Sequence, residues 1–344
     1  MSSFATPDGT ARYAARFPQH DSRAFFRTVQ GLRLSSIGLG SYLGNMDEAT
    51  DDGYIRSTLA ALQGGINCID TSLNYRNQSS ERNIGAALGQ AGLRRDEFAV
   101  CTKAGYLVPN AVPGSMMAPG DVVGGMHCMT PDFLEDQLNR SRSNLGLEAI
   151  DVFYLHNPET QLSYVPQEEF YSRVRLAFER LESLAADGRL AFYGAATWSG
   201  FRTQPSDPKG LSLIRMEAIA QQVAGAAHRF RFIQLPFNLG MLEGLSYLRE
   251  SGASVIAAAN DLGITTVASA SLLQARLSNG LPEELAAKIP GFRSDAQRAL
   301  QFARSAPGVS VALVGMSNPA HVAENLHIAS VAPADLSAWF SKTR

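Results

Sequence analysis

Eight short apolar runs, most of them followed by a polar turn and an amphipathic segment, constrain this chain more than any other feature. The runs lie at 37–40, 66–70, 98–103, 151–155, 191–196, 232–235, 265–268 and 311–314. Helical periodicity falls between or after them, at 51–63, 80–89, 131–145, 168–186, 211–224, 251–262 and 319–327. Several runs are apolar at nearly every position, as expected of parallel strands covered by helices on the outside. Repeated strand–helix units predict one α/β domain, as a closed barrel or an open doubly wound sheet. Eight strands favour the closed (β/α)8 TIM barrel. Ahead of the first unit, two apolar stretches flank Gly31 and read as an N-terminal β-hairpin. Residues 1–20, with Pro7, Gly9 and Pro18, read as a loose extension before a domain spanning 21–344.

The length suits that architecture: 344 residues, 45% hydrophobic, against about 250 for a typical barrel. Thirty basic against 32 acidic residues give a formal net charge of -2, which suggests no general attraction to nucleic acid or an anionic membrane. Cys68, Cys101 and Cys128 form no CxxC pair, so no zinc site is expected. The N-terminus is polar, with no apolar segment long enough for a signal peptide or membrane span. Asn77-Gln78-Ser79 matches a glycosylation sequon, which a cytoplasmic protein leaves unused. The expectation is a soluble cytoplasmic protein.

Two connections break the rhythm, at 104–130 and at 271–308, the second with a helix expected over 294–304. Both follow strands, on the side where barrel enzymes carry their active-site loops. On that side the strand ends are ionisable. Asp70 closes the second run, Tyr75 follows it, Lys103 closes the third and His156 follows the fourth. Singly, each has an ordinary explanation: a helix cap, a surface ring, a solvated ammonium, a satisfied imidazole. Together at one barrel mouth they have chemical sense. Lysine and aspartate on adjacent strands pair, and the lysine is expected to lower the Tyr75 pKa from about 10. A phenol opposite a carbonyl is a general acid, and in reverse a general base. No nucleophile elbow, metal motif or carboxylate pair competes, and a hydride has to come from a cofactor.

The chain resembles the aldo-keto reductase family, NAD(P)H-dependent oxidoreductases on a TIM barrel. GGINCIDTSLNY at 64–75, SSERNIGAAL at 79–88, TK at 102–103, YLHNP at 154–158, GAATWSG at 194–200, QLPFNL at 234–239 and ALVGMSNPAHVAENL at 312–326 carry the likeness. It implies Asp70, Tyr75, Lys103 and His156 as the catalytic set, with Tyr75 protonating the alkoxide, Lys103 and Asp70 tuning it, and His156 steering the carbonyl oxygen. It further implies cofactor contacts at Gly40, Ser41, Thr197, Gln234, Ser269, Ala270, Leu272, Gly315, Ser317, His321, Glu324 and Asn325. Tyr42 and Trp198 are expected in the substrate pocket, and no metal is expected.

The departures concern the cofactor. Ala196 and Thr197 stand where the family usually has Ser-Asn on the carboxamide, and Ser269 replaces the ring that stacks on nicotinamide. Trp198 or Phe237 is left to supply one. Gly315 and His321 stand where relatives carry a basic clamp for the 2′-phosphate. NADP(H) remains the family's default, and NAD(H) is the alternative. Met116, Met117, Met126 and Met129 in the first long connection fit a satellite core or an oligomer contact equally well. The expected activity is reversible reduction of an aldehyde or ketone, sugars included, with a small-molecule partner and a homo-oligomer left open. A nucleotide-binding sensor or accessory subunit is one rival reading, and a non-redox lyase or isomerase is another.

Overall fold

The computed structural model describes residues 2–340 except 110, 113–116, 205, 250 and 251. Strands β1 (Phe26–Val29) and β2 (Leu32–Ser35) pair antiparallel, Phe26 opposite Ser35 and Val29 opposite Leu32. Gln30 and Gly31, with φ of 47° and 83°, close this hairpin. Positive φ at both central residues is the turn whose twist matches paired strands.

Eight parallel strands follow: β3 (Ile37–Gly40), β4 (Cys68–Asp70), β5 (Ala99–Ala104), β6 (Ile150–His156), β7 (Leu190–Ala196), β8 (Phe230–Pro236), β9 (Thr265–Ser269) and β10 (Val309–Gly315). They form a closed barrel in chain order, β10 pairing with both β9 and β3. Each expected strand and helix is present, with ends moved by a few residues. The helix over 251–262 is reduced to Val255–Asp261, and Ser251 lies outside the described residues. Ser254, whose hydroxyl accepts from the Ala257 amide, starts it.

Inside the barrel, alternate side chains of the strands form their own apolar cluster, among them Cys68, Cys101, Tyr154, Phe232 and Val311. Val29, Leu32 and Leu34 of the hairpin belong to that cluster, so the hairpin stops the barrel at the end away from its mouth. The outer core lies between strands and helices, where Phe153, Phe178 and Phe230 are fully buried.

The expectation of a loose N-terminal extension is corrected. Residues 7–14 form the helix Pro7–Ala14, started by Thr6, whose side chain accepts from the Gly9 amide. Tyr13 is fully buried and its hydroxyl donates to the Leu62 carbonyl at 2.5 Å. Arg12 bridges to Asp96 at 2.9 Å and Arg16 to the buried Glu97 at 2.5 Å. Proline at a first helical position starts a helix, and one apolar face then finds the core.

The first long connection turns back on itself through bridges of His127 with Tyr106 and Val123. Met129 is buried in the outer core, Met117 packs against it, Met126 is exposed, and Met116 lies outside the described residues. The second carries the helix Asp295–Ser305, begun by a reciprocal cap between Ser294 and Gln297. No described helix is long and apolar enough to cross a membrane.

Candidate active site

Parallel register brings the strand ends into rows. His156 pairs with Ala196, Ala196 with Gln234, and Asp70 with Cys101 two residues before Lys103. Asp70, Lys103, His156 and Gln234 thus end at one face of the barrel, as parallel strands with covered sides require.

Lys103 and Asp70 are 1% and 3% exposed, and Nζ lies 2.5 Å from Asp70 Oδ1. Nζ also donates to the Thr71 carbonyl at 2.7 Å, and Gln234 Nε2 donates to Asp70 Oδ2 at 2.9 Å. Burial alone would lower the lysine, but Asp70, with Tyr75, holds it above its usual value. Burial pushes the Asp70 carboxyl up against the pull of Lys103 and Gln234. The Tyr75 ring lies with its centroid 5.0 Å from Lys103 Nζ, 5.8 Å from the His156 ring and 5.0 Å from the Tyr42 ring. The four expected residues are brought together.

The expected acidification of Tyr75 is corrected in sign. Burial raises its pKa and outweighs the favourable charge of Lys103, while Asp70 raises it further. The phenol therefore holds its proton at neutral pH, which suits an acid. His156 is held well below its usual value by burial first and then by Lys103, so its ring is neutral. Its Nδ1 meets Ser72 Oγ at 3.1 Å.

A cavity of about 450 Å³ opens over these groups. Of the expected contacts, Gly40, Ser41, Tyr42, Thr197, Trp198, Gln234, Ser269, Ala270, Leu272 and Gly315 line it. Ser317, His321, Glu324 and Asn325 are not on its wall. Glu324 accepts from Ser294 at 2.5 Å, Asn325 is buried, and His321 is exposed in the first turn of the helix Pro319–Leu326. Phe237 is not a stacking ring for this cavity: it is fully buried against Phe302, 5.9 Å between parallel rings. Trp198 is 43% exposed on the wall. Gln234, expected on the cofactor, spends its amide on Asp70.

Residues beyond that expectation also line the cavity: Asn74, Tyr106, Asn157 and Ser271. Asn74 and Asn157 lie one residue from Tyr75 and His156, the signal that points to them. Asn157 takes a left-handed φ of 46° and donates from Nδ2 to the Tyr106 hydroxyl at 3.1 Å. Tyr106 was hidden in the aperiodic stretch after β5. Glu159, 8% exposed, receives three successive amides on Oε1, from Trp198 (2.9 Å), Ser199 (2.9 Å) and Gly200 (3.1 Å), fixing the loop that bears Trp198.

Residues 36–204 match the model of the aldo/keto reductase family. The chain is 28% identical over 337 residues to D-threo-aldose 1-dehydrogenase from a Pseudomonas species, covering 91% of this chain and 95% of that protein. It is 30% identical over 179 residues to a provisionally named voltage-gated potassium channel subunit beta of Schizosaccharomyces pombe, covering 51% of this chain and only 45% of that one. Among solved structures, an aldo/keto reductase from Klebsiella pneumoniae in complex with NADP and acetate superposes with a TM-score of 0.64 at 18% identity, over 92% of this chain and 95% of the other. The glycerol dehydrogenase of Gluconobacter oxydans gives 0.64 at 19% identity, over 92% and 93%. With the family model on the strands that carry Asp70, Lys103 and His156, and the same barrel in these structures, the chain belongs to the aldo/keto reductase family.

Proposed function

We propose that this chain is an NAD(P)H-dependent oxidoreductase that interconverts an aldehyde or ketone and its alcohol, with Tyr75 as the acid in reduction and the base in oxidation. One observation carries the reading: a buried Lys103–Asp70 pair under the ring of a protonated Tyr75, with a neutral His156 across the same cavity.

The cavity suits a nicotinamide nucleotide. The Ser271 hydroxyl is buried without a protein partner in a residue on its wall, and Thr197 makes only a 3.5 Å contact to the Gln234 carbonyl. Both oxygens are available to a polar ligand. When bound, the cofactor supplies the hydride to the carbonyl carbon or takes it back. Tyr75 gives its phenolic proton to the oxygen as negative charge develops there. Lys103 stabilises the phenolate that remains, and Asp70 holds Lys103 in place. Trp198 and Tyr42 cover the mouth. NADP(H) is favoured by the Klebsiella relative, solved with NADP. NAD(H) stays as the alternative, because Gly315 offers no cation.

For the substrate we favour a neutral sugar. Asp70 is the only charged residue of the named cavity wall, and it is paired with Lys103. Asn74 and Asn157 offer carboxamides beside the rings of Tyr42, Tyr106 and Trp198, a combination suited to hydroxyls on an apolar ring face. The Pseudomonas relative is named for an aldose. Three free buried thiols accord with a reducing compartment, and we assign the protein to the cytoplasm. The match to a channel beta subunit keeps an accessory role as a second reading.

Parallel titration with NADPH and NADH, followed by nicotinamide fluorescence, tests the assignment. Binding of either, with turnover of an aldose that Tyr75→Phe lowers by about 10²–10⁴-fold, supports it. Binding without turnover of any carbonyl would favour the accessory role. No binding at millimolar nucleotide would end the hydride reading.

A further inference from the structure

Tyr75 is followed by a turn whose backbone its own residues resist. Arg76, Asn77 and Gln78 take φ of 49°, 49° and 75° in succession. Residues with a Cβ are strained in that region, and the strain persists only where surrounding contacts over-determine the backbone. Gln78 Oε1 receives Asn144 Nδ2 at 3.2 Å. Arg76 is held more firmly, with only 3% of its side chain exposed. Its Nε donates to the Asn45 carbonyl at 2.8 Å, and its Nη2 to Asp51 Oδ1 at 2.7 Å. Asn83 Nδ2 donates to the same Asp51 oxygen at 2.6 Å. The guanidinium lies 5.5 Å from the centre of the buried Tyr54 ring.

These bonds reach the loop between β3 and the helix Glu48–Gly64. Three alternate carbonyls of that loop accept from side chains. Ser41 accepts from Ser80 Oγ at 2.8 Å, Leu43 from the Tyr54 hydroxyl at 2.5 Å, and Asn45 from Arg76. Tyr42 and Leu43 stand on the cavity wall, and the Tyr42 ring lies edge-on to the Tyr75 ring, 5.0 Å between centres. The Tyr75 turn and the Tyr42 loop therefore meet twice, ring against ring in the cavity and guanidinium against carbonyl off its wall. One contact leaves two segments free to swing about it. The second fixes their spacing.

We propose that Arg76, paired with Asp51, is a positioning residue that sets the Tyr75 phenol against the bound carbonyl by tying the Tyr75 turn to the Tyr42 loop. The catalytic consequence rests on the reading of Tyr75 as the acid. Arg76 acts through Tyr75 from outside the cavity wall. A phenol displaced by about 1 Å passes its proton more slowly, while the nucleotide binds as before.

The informative variant is Arg76→Gly, because glycine takes the left-handed φ without strain and only the side-chain tie is lost. Hydrogen–deuterium exchange of the full-length protein without ligand reads the tie directly. Amides of residues 41–46 are expected to exchange about tenfold faster than in the wild type, with β8 unchanged. In turnover, kcat falls by about 10–100-fold, with carbonyl KM and nucleotide Kd near their wild-type values. D2O slows kcat more than it does in the wild type, because proton transfer has become the slower step. Asp51→Asn keeps an acceptor for Asn83 but loses the charge, so it lowers kcat less, and lowers it no further in an Arg76→Gly background. Unmoved exchange at 41–46, or a fall in kcat with an unchanged D2O effect, would overturn the proposal. The exchange result needs neither cofactor nor substrate. If it appears while the wild type turns over no carbonyl with either nucleotide, the hydride reading falls and the catalytic role of Arg76 with it.

Discussion

Gln234 on β8 donates to Asp70 on β4 over 2.9 Å, between strands that face each other across the closed barrel. This bond occupies the Asp70 oxygen that Lys103 leaves free. Both acceptor atoms of a buried carboxylate are thereby satisfied by donors from different strands.

Replacing Gln234 by Leu removes the protein donor to Asp70 Oδ2 at the buried floor of the cavity. The expected cost is about 1–3 kcal/mol of stability, read from urea unfolding. Lys103→Met is the harsher change, since it leaves a buried carboxylate unpaired, at about 3–5 kcal/mol. Equal losses for the two variants would show that the cross-barrel bond matters as much as the ion pair.

Glu159 joins the turn after β6 to the loop after β7 through one oxygen and three amides. Glu159→Gln keeps an acceptor there and is expected to fold with near-normal Trp198 fluorescence. Glu159→Leu leaves three amides without their acceptor, and is expected to red-shift Trp198 emission and raise the substrate KM more than it lowers kcat. The chain has 2 tryptophans, so a Trp339→Phe background isolates the signal. An unchanged Trp198 spectrum in Glu159→Leu would show the loop is held by other contacts.

His127 is buried and pushed down to about 4 by desolvation. Between the unfolded value of about 6.5 and that folded value, the unfolded chain binds a proton that the folded chain does not. Stability therefore falls as pH drops through this window, by about 3 kcal/mol in full. His156, also held low by burial, adds to the same slope. In His127→Asn the acid slope between about pH 6.5 and 4 is expected to flatten, measured as unfolding midpoint against pH. A slope identical to wild type would assign the acid lability to other groups.

Periodicity alone determined the eight strands and the helices between them. Apolar runs and amphipathic segments place eight strands in chain order, and each strand's end is visible to within a residue where apolar character stops at Asp70, Lys103 or His156. Local rules also show the hairpin turn at Gly31, because it depends on neighbours within a few residues. The first twenty residues escaped because their helix is short, and its burial depends on Leu62 and Asp96 far along the chain. The bond from Gln234 to Asp70 was out of reach, because only the closed ring sets β8 opposite β4. The sign of the Tyr75 shift was equally out of reach: Lys103 can be read as a nearby charge, but desolvation depends on how much water the assembled mouth excludes. Tyr106 and Glu159 lie in segments with no period, and their partners come from other loops at the barrel mouth. Patterns repeat along the chain, so the sequence carries them by itself. Burial and hydrogen-bond partners arise between distant segments, and only the closed barrel decides those.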